Sequence, residues 1–285
     1  MNYFRLIAAL LFLPFFIQAQ EMQLGLSGGV SLYQGDLQPS NDYSIEAVGK
    51  IGYSAGGFAR FVHNPTWNTR LGLQYGYIEG SDALSSNVNR QARNLNFQTN
   101  LFELSLIEEI NLSKFDPFKG YIVSPYLFLG VGVTYFNPKT EYMGELVALQ
   151  PLGTEGQGMP GFEDKYSLLQ LVIPFGGGIK MAVSNSATLN FEIGGRKTFT
   201  DYLDDVSGYY VSDRELAAGN GSLAAQLAYR TDEFNGDPNE LATGEKLRGG
   251  PEYKDWYYFI TVGIAFDIQA DLLFGGTNRS GCPKW

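Results

Sequence analysis

A chain of 285 residues with a net charge of -10 has no basic surface for neutralising phosphates, which argues against a nucleic-acid partner. One histidine and one cysteine leave a serine or cysteine triad with almost no choice of base, so no catalytic residues are expected. The 18 tyrosines, 20 phenylalanines and 35 glycines suit a narrow barrel with aromatic girdles where it meets lipid headgroups.

Residues 1–19 read as a secretory signal, with Arg5 as the positive region, Leu6 to Ile17 as the apolar core, and cleavage after Ala19. No cysteine lies near the cut, so a lipoprotein anchor is not expected. Beyond this leader no apolar run approaches the ~18 residues of a membrane helix. Residues 20–266 instead read as one β-barrel domain, followed by a tail over 267–285.

The first strand, Met22–Leu32, sets Met22, Leu24 and Leu26 against Gln23, Gly25 and Ser27. The second, Ala47–Val62, points Ile51, Tyr53, Ala55 and Phe61 outward and Lys50, Ser54 and Arg60 inward. Asn64 to Asn68 form a tight turn, because Pro and Asn supply its special backbone angles. In the third strand Leu71, Leu73, Tyr75 and Tyr77 oppose Arg70, Gln74 and Gly76, and a polar loop runs from Glu79 to Asn96. The fourth, Phe97–Leu112, sets Phe102, Leu104 and Leu106 against Glu103, Ser105, Ile107 and Glu109.

A short connector leads to the fifth strand, Pro125–Asn137, which is apolar on both faces with Leu127, Leu129, Val131, Val133 and Tyr135 outward. After a long loop, the sixth, Leu168–Val183, opposes Leu169, Leu171 and Ile173 to Gln170, Gly176 and Lys180. The seventh opposes Leu189, Phe191 and Ile193 to Asn190, Glu192 and Arg196. The longest connector, Asp201–Lys254, is acidic and predicts a helix over Ser222–Arg230 capped by Ser222. Trp256, Tyr258, Ile260, Val262, Ile264 and Phe266 form the outward face of the eighth strand, Asp255–Phe266.

Eight such strands, with connectors alternating long and short, predict an all-β fold: an eight-stranded antiparallel transmembrane β-barrel of the outer membrane. Its long loops are extracellular, its termini periplasmic, and its outer face is in contact with lipid. A soluble barrel is the alternative, and it would need a polar outer face. Lys50, Arg60, Arg70, Lys180 and Arg196 share the lumen with Glu103, Glu109 and Glu192, and unpaired charges there are costly, so a salt-bridged plug is expected.

His63 sits beside the turn as a rim residue. The acidic run Asp232 to Asp237 lacks the ligand spacing of a calcium loop, so no metal or cofactor is expected. Cys282 in an exported chain has three open fates: an intermolecular disulfide, a reactive thiol, or an inert one. With Pro283 and Trp285 it gives the tail the look of a docking peptide.

The segment Tyr33-Gln34-Gly35-Asp36-Leu37, the turn Asn64-Pro65-Thr66-Trp67, Gly80-Ser81-Asp82, Phe102-Glu103-Leu104, Tyr126 to Val133, Thr200 to Val206 and the Cys-Pro-Lys-Trp tail together resemble PorG-type proteins of the Bacteroidetes type IX secretion system, a DUF6089-like family. That resemblance implies an outer-membrane subunit of the secretion and gliding machinery. It implies association with the periplasmic ring of the lipoprotein PorK and its partner PorN, and with other secretion-system barrels. It transfers no catalytic residues. A small channel or receptor barrel, and more remotely a lipid hydrolase, are the competing functions.

Overall fold

The computed structural model describes residues 21–38, 50–237, 242, 244 and 246–268. Its strands are β1 (Glu21–Gln34), β2 (Gly52–Val62), β3 (Trp67–Ser81), β4 (Asn96–Asn111), β5 (Val123–Tyr135), β6 (Lys139–Tyr142), β7 (Glu145–Ala148), β8 (Leu169–Ser184), β9 (Ala187–Thr198) and β10 (Trp256–Ile268). β1 to β5 and β8 to β10 pair antiparallel in succession. The ring closes because β3 meets β4 and β10 returns to β1. Closure satisfies every edge internally, which is what allows strands to cross a bilayer.

The closed ring is the expected eight-stranded barrel. Strict alternation sorts its two faces. On the outside Leu26 is 70% exposed and Ile193 62%, whereas Arg60 and Glu109 inside are at 1% and 0%. A continuous apolar outer face is untenable in water and favourable in lipid. The protein is therefore an outer-membrane-type barrel rather than a soluble one. Aromatic side chains gather at the loop-side edge, where Tyr53 stacks on Tyr77 at 5.3 Å and Phe175 meets Trp256 edge-on at 5.8 Å. Leu127, Leu129, Val131, Val133 and Tyr135 do face outward on β5, while Tyr126 and Phe128 are buried inside.

Between the long strands β5 and β8 lies the β6–β7 hairpin, which the sequence does not announce. Its turn places Met143 and Gly144 in succession at positive φ, 52° and 81°, a geometry usually signalled by Asn-Gly. Four short helices also decorate the loops: α1 (Val88–Arg93), α2 (Asp213–Gly219), α3 (Ser222–Ala228) and α4 (Thr231–Asn235). The predicted helix over 222–230 is α3, but Ser222 does not cap it. Gly221, at φ 98°, occupies the N-cap and makes the entry bend itself. The acidic run from Asp232 begins inside α4 and is exposed from Glu233 onward. β10 runs two residues past the predicted end of the barrel, to Ile268. The leader and the segment 269–285, with Cys282, Pro283 and Trp285, lie outside the described residues.

Candidate functional site

Two stacked layers fill the barrel, one of charge in the strands and one of loops over the mouth. In the lower layer Glu109 is the hub. Its carboxylate meets Arg60 Nε at 2.9 Å, Arg70 Nε at 2.9 Å and Lys180 Nζ at 2.6 Å. Neighbouring strands complete the set. Arg60 also donates to Gln23 and Asn190, and Lys180 to Asn111, while Arg70 reaches Glu192 at 2.8 Å. Higher up, Glu103 accepts from Arg196 Nε at 3.1 Å and from the Tyr257 hydroxyl at 2.7 Å.

Aromatic faces occupy what the ion pairs leave. Arg196 lies 4.5 Å from the Phe259 ring centre and Lys180 4.6 Å from that of Tyr126, so each cation is held by a carboxylate and a π face together. Within the charge layer lies a cavity of about 30 Å³, lined in part by Arg70, Gln74, Glu103, Glu192 and Arg196. That volume has room for one or two waters.

Lys50 is the exception among the charges assigned to the lumen. It lies at the loop-side rim, half exposed, and pairs with Glu79 at 3.4 Å. The strand begins only at Gly52, so Lys50 precedes the alternation that would have turned it inward.

Above the charge layer the long loops form a cap with its own core, in which Leu37, Phe97, Phe136, Leu149, Leu203, Val206 and Leu227 pack over Tyr257 and Phe259. The segment 200–207 threads through this core, and its acids are buried with it. Tyr33 donates its hydroxyl to Asp204 at 2.6 Å and lies 3.4 Å from Asp255, whose other oxygen accepts the Leu203 N–H at 2.9 Å. Asp205 accepts from the hydroxyls of Thr154, at 2.5 Å, and Tyr166, at 2.7 Å. Tyr166 in turn stacks on Tyr202 at 4.6 Å.

Two arginines tie the cap together. Arg248 pairs with Glu155 at 2.9 Å and donates to the carbonyls of Ala228 and Asp205. Arg93 grips Asp82 through two bonds of 2.7 Å and donates to the carbonyls of Asp36 and Arg248.

Burial sets the acidity of this layer. It pushes the Asp205 carboxyl up to about 6 against the pull of Arg248, and Asp201 up to about 6 as well. Asp204 and Asp255 are raised well above the ordinary carboxylate range, first by burial and then by acidic neighbours, Asp36 for Asp204 and Asp204 for Asp255. For Arg248, burial pulls down but Glu155 and Asp205 outweigh it and hold the guanidinium above its usual value.

The short sequence motifs converge here. Tyr33 to Leu37 at the end of β1, Gly80 to Asp82 at the end of β3 and Thr200 to Val206 in the longest connector meet at one mouth. Among the described residues no group of His, Cys, Asp or Glu has metal-binding geometry. Residues 2–223, which include all three motifs, match the family described as "Domain of unknown function (DUF6089)". The chain belongs to the DUF6089 family.

No curated protein matches it. Among solved structures this DUF6089 protein is similar to Neisserial surface protein A, at 9% identity and a TM-score of 0.40 over 87% of this chain and 97% of that one. It is also similar to the attachment invasion locus protein Ail of Yersinia pestis, at 8% identity and a TM-score of 0.37 over 87% and 98%. The outer membrane protein OprG of Pseudomonas aeruginosa gives 11% and 0.39 over 88% and 99%.

His63 takes the rim position expected from the turn, with Nε2 2.9 Å from the Thr69 hydroxyl. Asp36, Asp201, Asp204, Asp205 and Asp255 are what reading by strand pattern missed. They occupy irregular backbone, where no periodicity reports burial. For Asp36, Asp201, Asp204 and Asp205 the signal is membership of the motifs that carry the family resemblance; Asp255 opens the predicted eighth strand.

Proposed function

We propose that this barrel is a non-conducting structural subunit of the outer membrane, a mount within the type IX secretion and gliding machinery. The observation that carries the reading is a lumen closed at two independent levels, by the ion pairs around Glu109 and by the cap around Leu203. An eight-stranded interior filled by side chains is a packed core, and a residual cavity of about 30 Å³ admits no solute. Function then falls to the two ends. Following the family resemblance, the short turns and the tail with Cys282, Pro283 and Trp285 face the periplasm and meet the PorK and PorN ring. No catalytic residue or cofactor enters this role.

Planar-bilayer recording tests the mount directly. The purified barrel gives no unitary current, and removal of the cap segment 201–254 leaves it silent because the charge layer remains. Channel openings in the intact protein sink the proposal and favour the channel or receptor alternative. Truncation at Asn278 tests the tail: the barrel still folds but ring proteins no longer co-purify, and their retention refutes the docking role.

A further inference from the structure

Near its short-turn end the outer face of the barrel carries the carboxylate of Glu108. Glu108 follows the alternation of Phe102, Leu104 and Leu106 on β4, and Ile110 and Leu112, both more than half exposed, lie beyond it toward the turn. Its partners come from the facing strand and are uncharged. Trp67 Nε1 donates at 2.6 Å, and the Thr69 hydroxyl lies 3.0 Å from each carboxylate oxygen. Thr69 is itself held by His63 at 2.9 Å, and the His63 ring packs 5.5 Å from that of Trp67.

Two neutral donors leave acceptor sites on Glu108 unused. No lysine or arginine nitrogen among the described residues pairs with it. A carboxylate bordering the apolar belt with acceptor sites to spare is suited to a cationic group. The indole sits where Trp is favoured, at the headgroup level, and its face attracts cations.

We propose that Glu108 and Trp67 bind the ammonium group of an ethanolamine phospholipid in the leaflet on the short-turn side. The carboxylate supplies the charge, Thr69 and His63 fix its orientation, and the apolar side chains of the neighbouring outward pair, Leu71 and Leu106, accommodate an acyl chain. The choice of the periplasm-facing leaflet rests on the orientation proposed above; the chemistry of the site does not.

The test is native mass spectrometry of the full barrel in detergent, with an equimolar mixture of phosphatidylethanolamine and phosphatidylglycerol of matched chains. Wild-type protein retains the ethanolamine lipid with a roughly tenfold preference, the size of one charge-assisted hydrogen bond. Glu108→Gln, checked as folded by heat-modifiable gel mobility, loses that preference, while Leu104→Gln on the same outer face keeps it. Trp67→Phe retains the carboxylate but not the indole donor and gives a reduced preference.

An unselective wild type overturns the site. So does a preference that survives in both Glu108→Gln and Trp67→Phe, or one that Leu104→Gln also abolishes. Lipid retention is measured on the isolated barrel, so a failure of ring docking leaves this outcome unaffected.

Discussion

Replacing Glu109 by glutamine puts the charge layer under its most direct stress. Three cations converge on this one carboxylate at 2.9, 2.9 and 2.6 Å. At an effective dielectric of about 20, a contact of ~4 Å is worth roughly 4 kcal/mol before desolvation is counted. Arg60 keeps Gln23 and Asn190, Arg70 keeps Glu192, and Lys180 keeps Asn111, so part of the loss is recovered. Removing one member of a buried ion set costs about 3–5 kcal/mol net, and the reason is the mutual repulsion of what remains.

Urea unfolding in micelles, followed by tryptophan fluorescence and by heat-modifiable mobility, measures that cost. Glu103→Gln is the control, because Glu103 holds one cation and one phenol, a pairing worth roughly 1.5–3 kcal/mol. Adding Lys180→Met to Glu109→Gln removes a cation left without its carboxylate and restores about 1 kcal/mol or more. If Glu109→Gln is no worse than Glu103→Gln, or if the double variant is weaker still, the hub is not electrostatic and the argument fails.

The cap tightens in acid. The folded carboxyls of Asp201 and Asp205 titrate at about 6, above the unfolded value near 3.8, so the folded cap binds more protons between those limits and loses stability as pH rises through 6. Hydrogen exchange over 200–207, corrected for intrinsic rate, is therefore faster at pH 8 than at pH 5, and Asp205→Asn flattens its share of that dependence. Slower exchange at pH 8 contradicts the sign. Gly35→Ala places a methyl group onto the Tyr33 hydroxyl and the Asp255 carboxylate, an overpacking cost of about 1–3 kcal/mol. Limited proteolysis should cut the cap of this variant while the strands survive, and a protease-resistant cap argues against the contact. Non-reducing electrophoresis of native outer membranes against Cys282→Ser reads the fate of the thiol: a partner-sized shift lost in the variant shows a disulfide.

The sequence by itself determined the barrel. Period-two alternation reports which face meets lipid, because the pleat sends neighbouring side chains to opposite sides without reference to anything distant. Arg60, Arg70, Lys180 and Arg196 were thus legible as inward from local spacing alone, and so were their three glutamates. Lys50 misled because alternation was extended past the first paired residue of β2.

Which cation meets which carboxylate was not legible. Glu109 draws Arg60, Arg70 and Lys180 from three other strands, and only the register and closure of the ring bring them within reach. The cap was hidden for a different reason. An aspartate in a loop looks solvated in any one-dimensional pattern, and Asp204 and Asp255 are buried because Tyr33, Leu203 and their neighbours from distant connectors fold over them. Glu108 belongs to both kinds of information. Its outward face follows from the alternation, but only the pairing of Thr69 with Glu108 across β3 and β4 puts an indole, a hydroxyl and an imidazole around an outward-facing carboxylate.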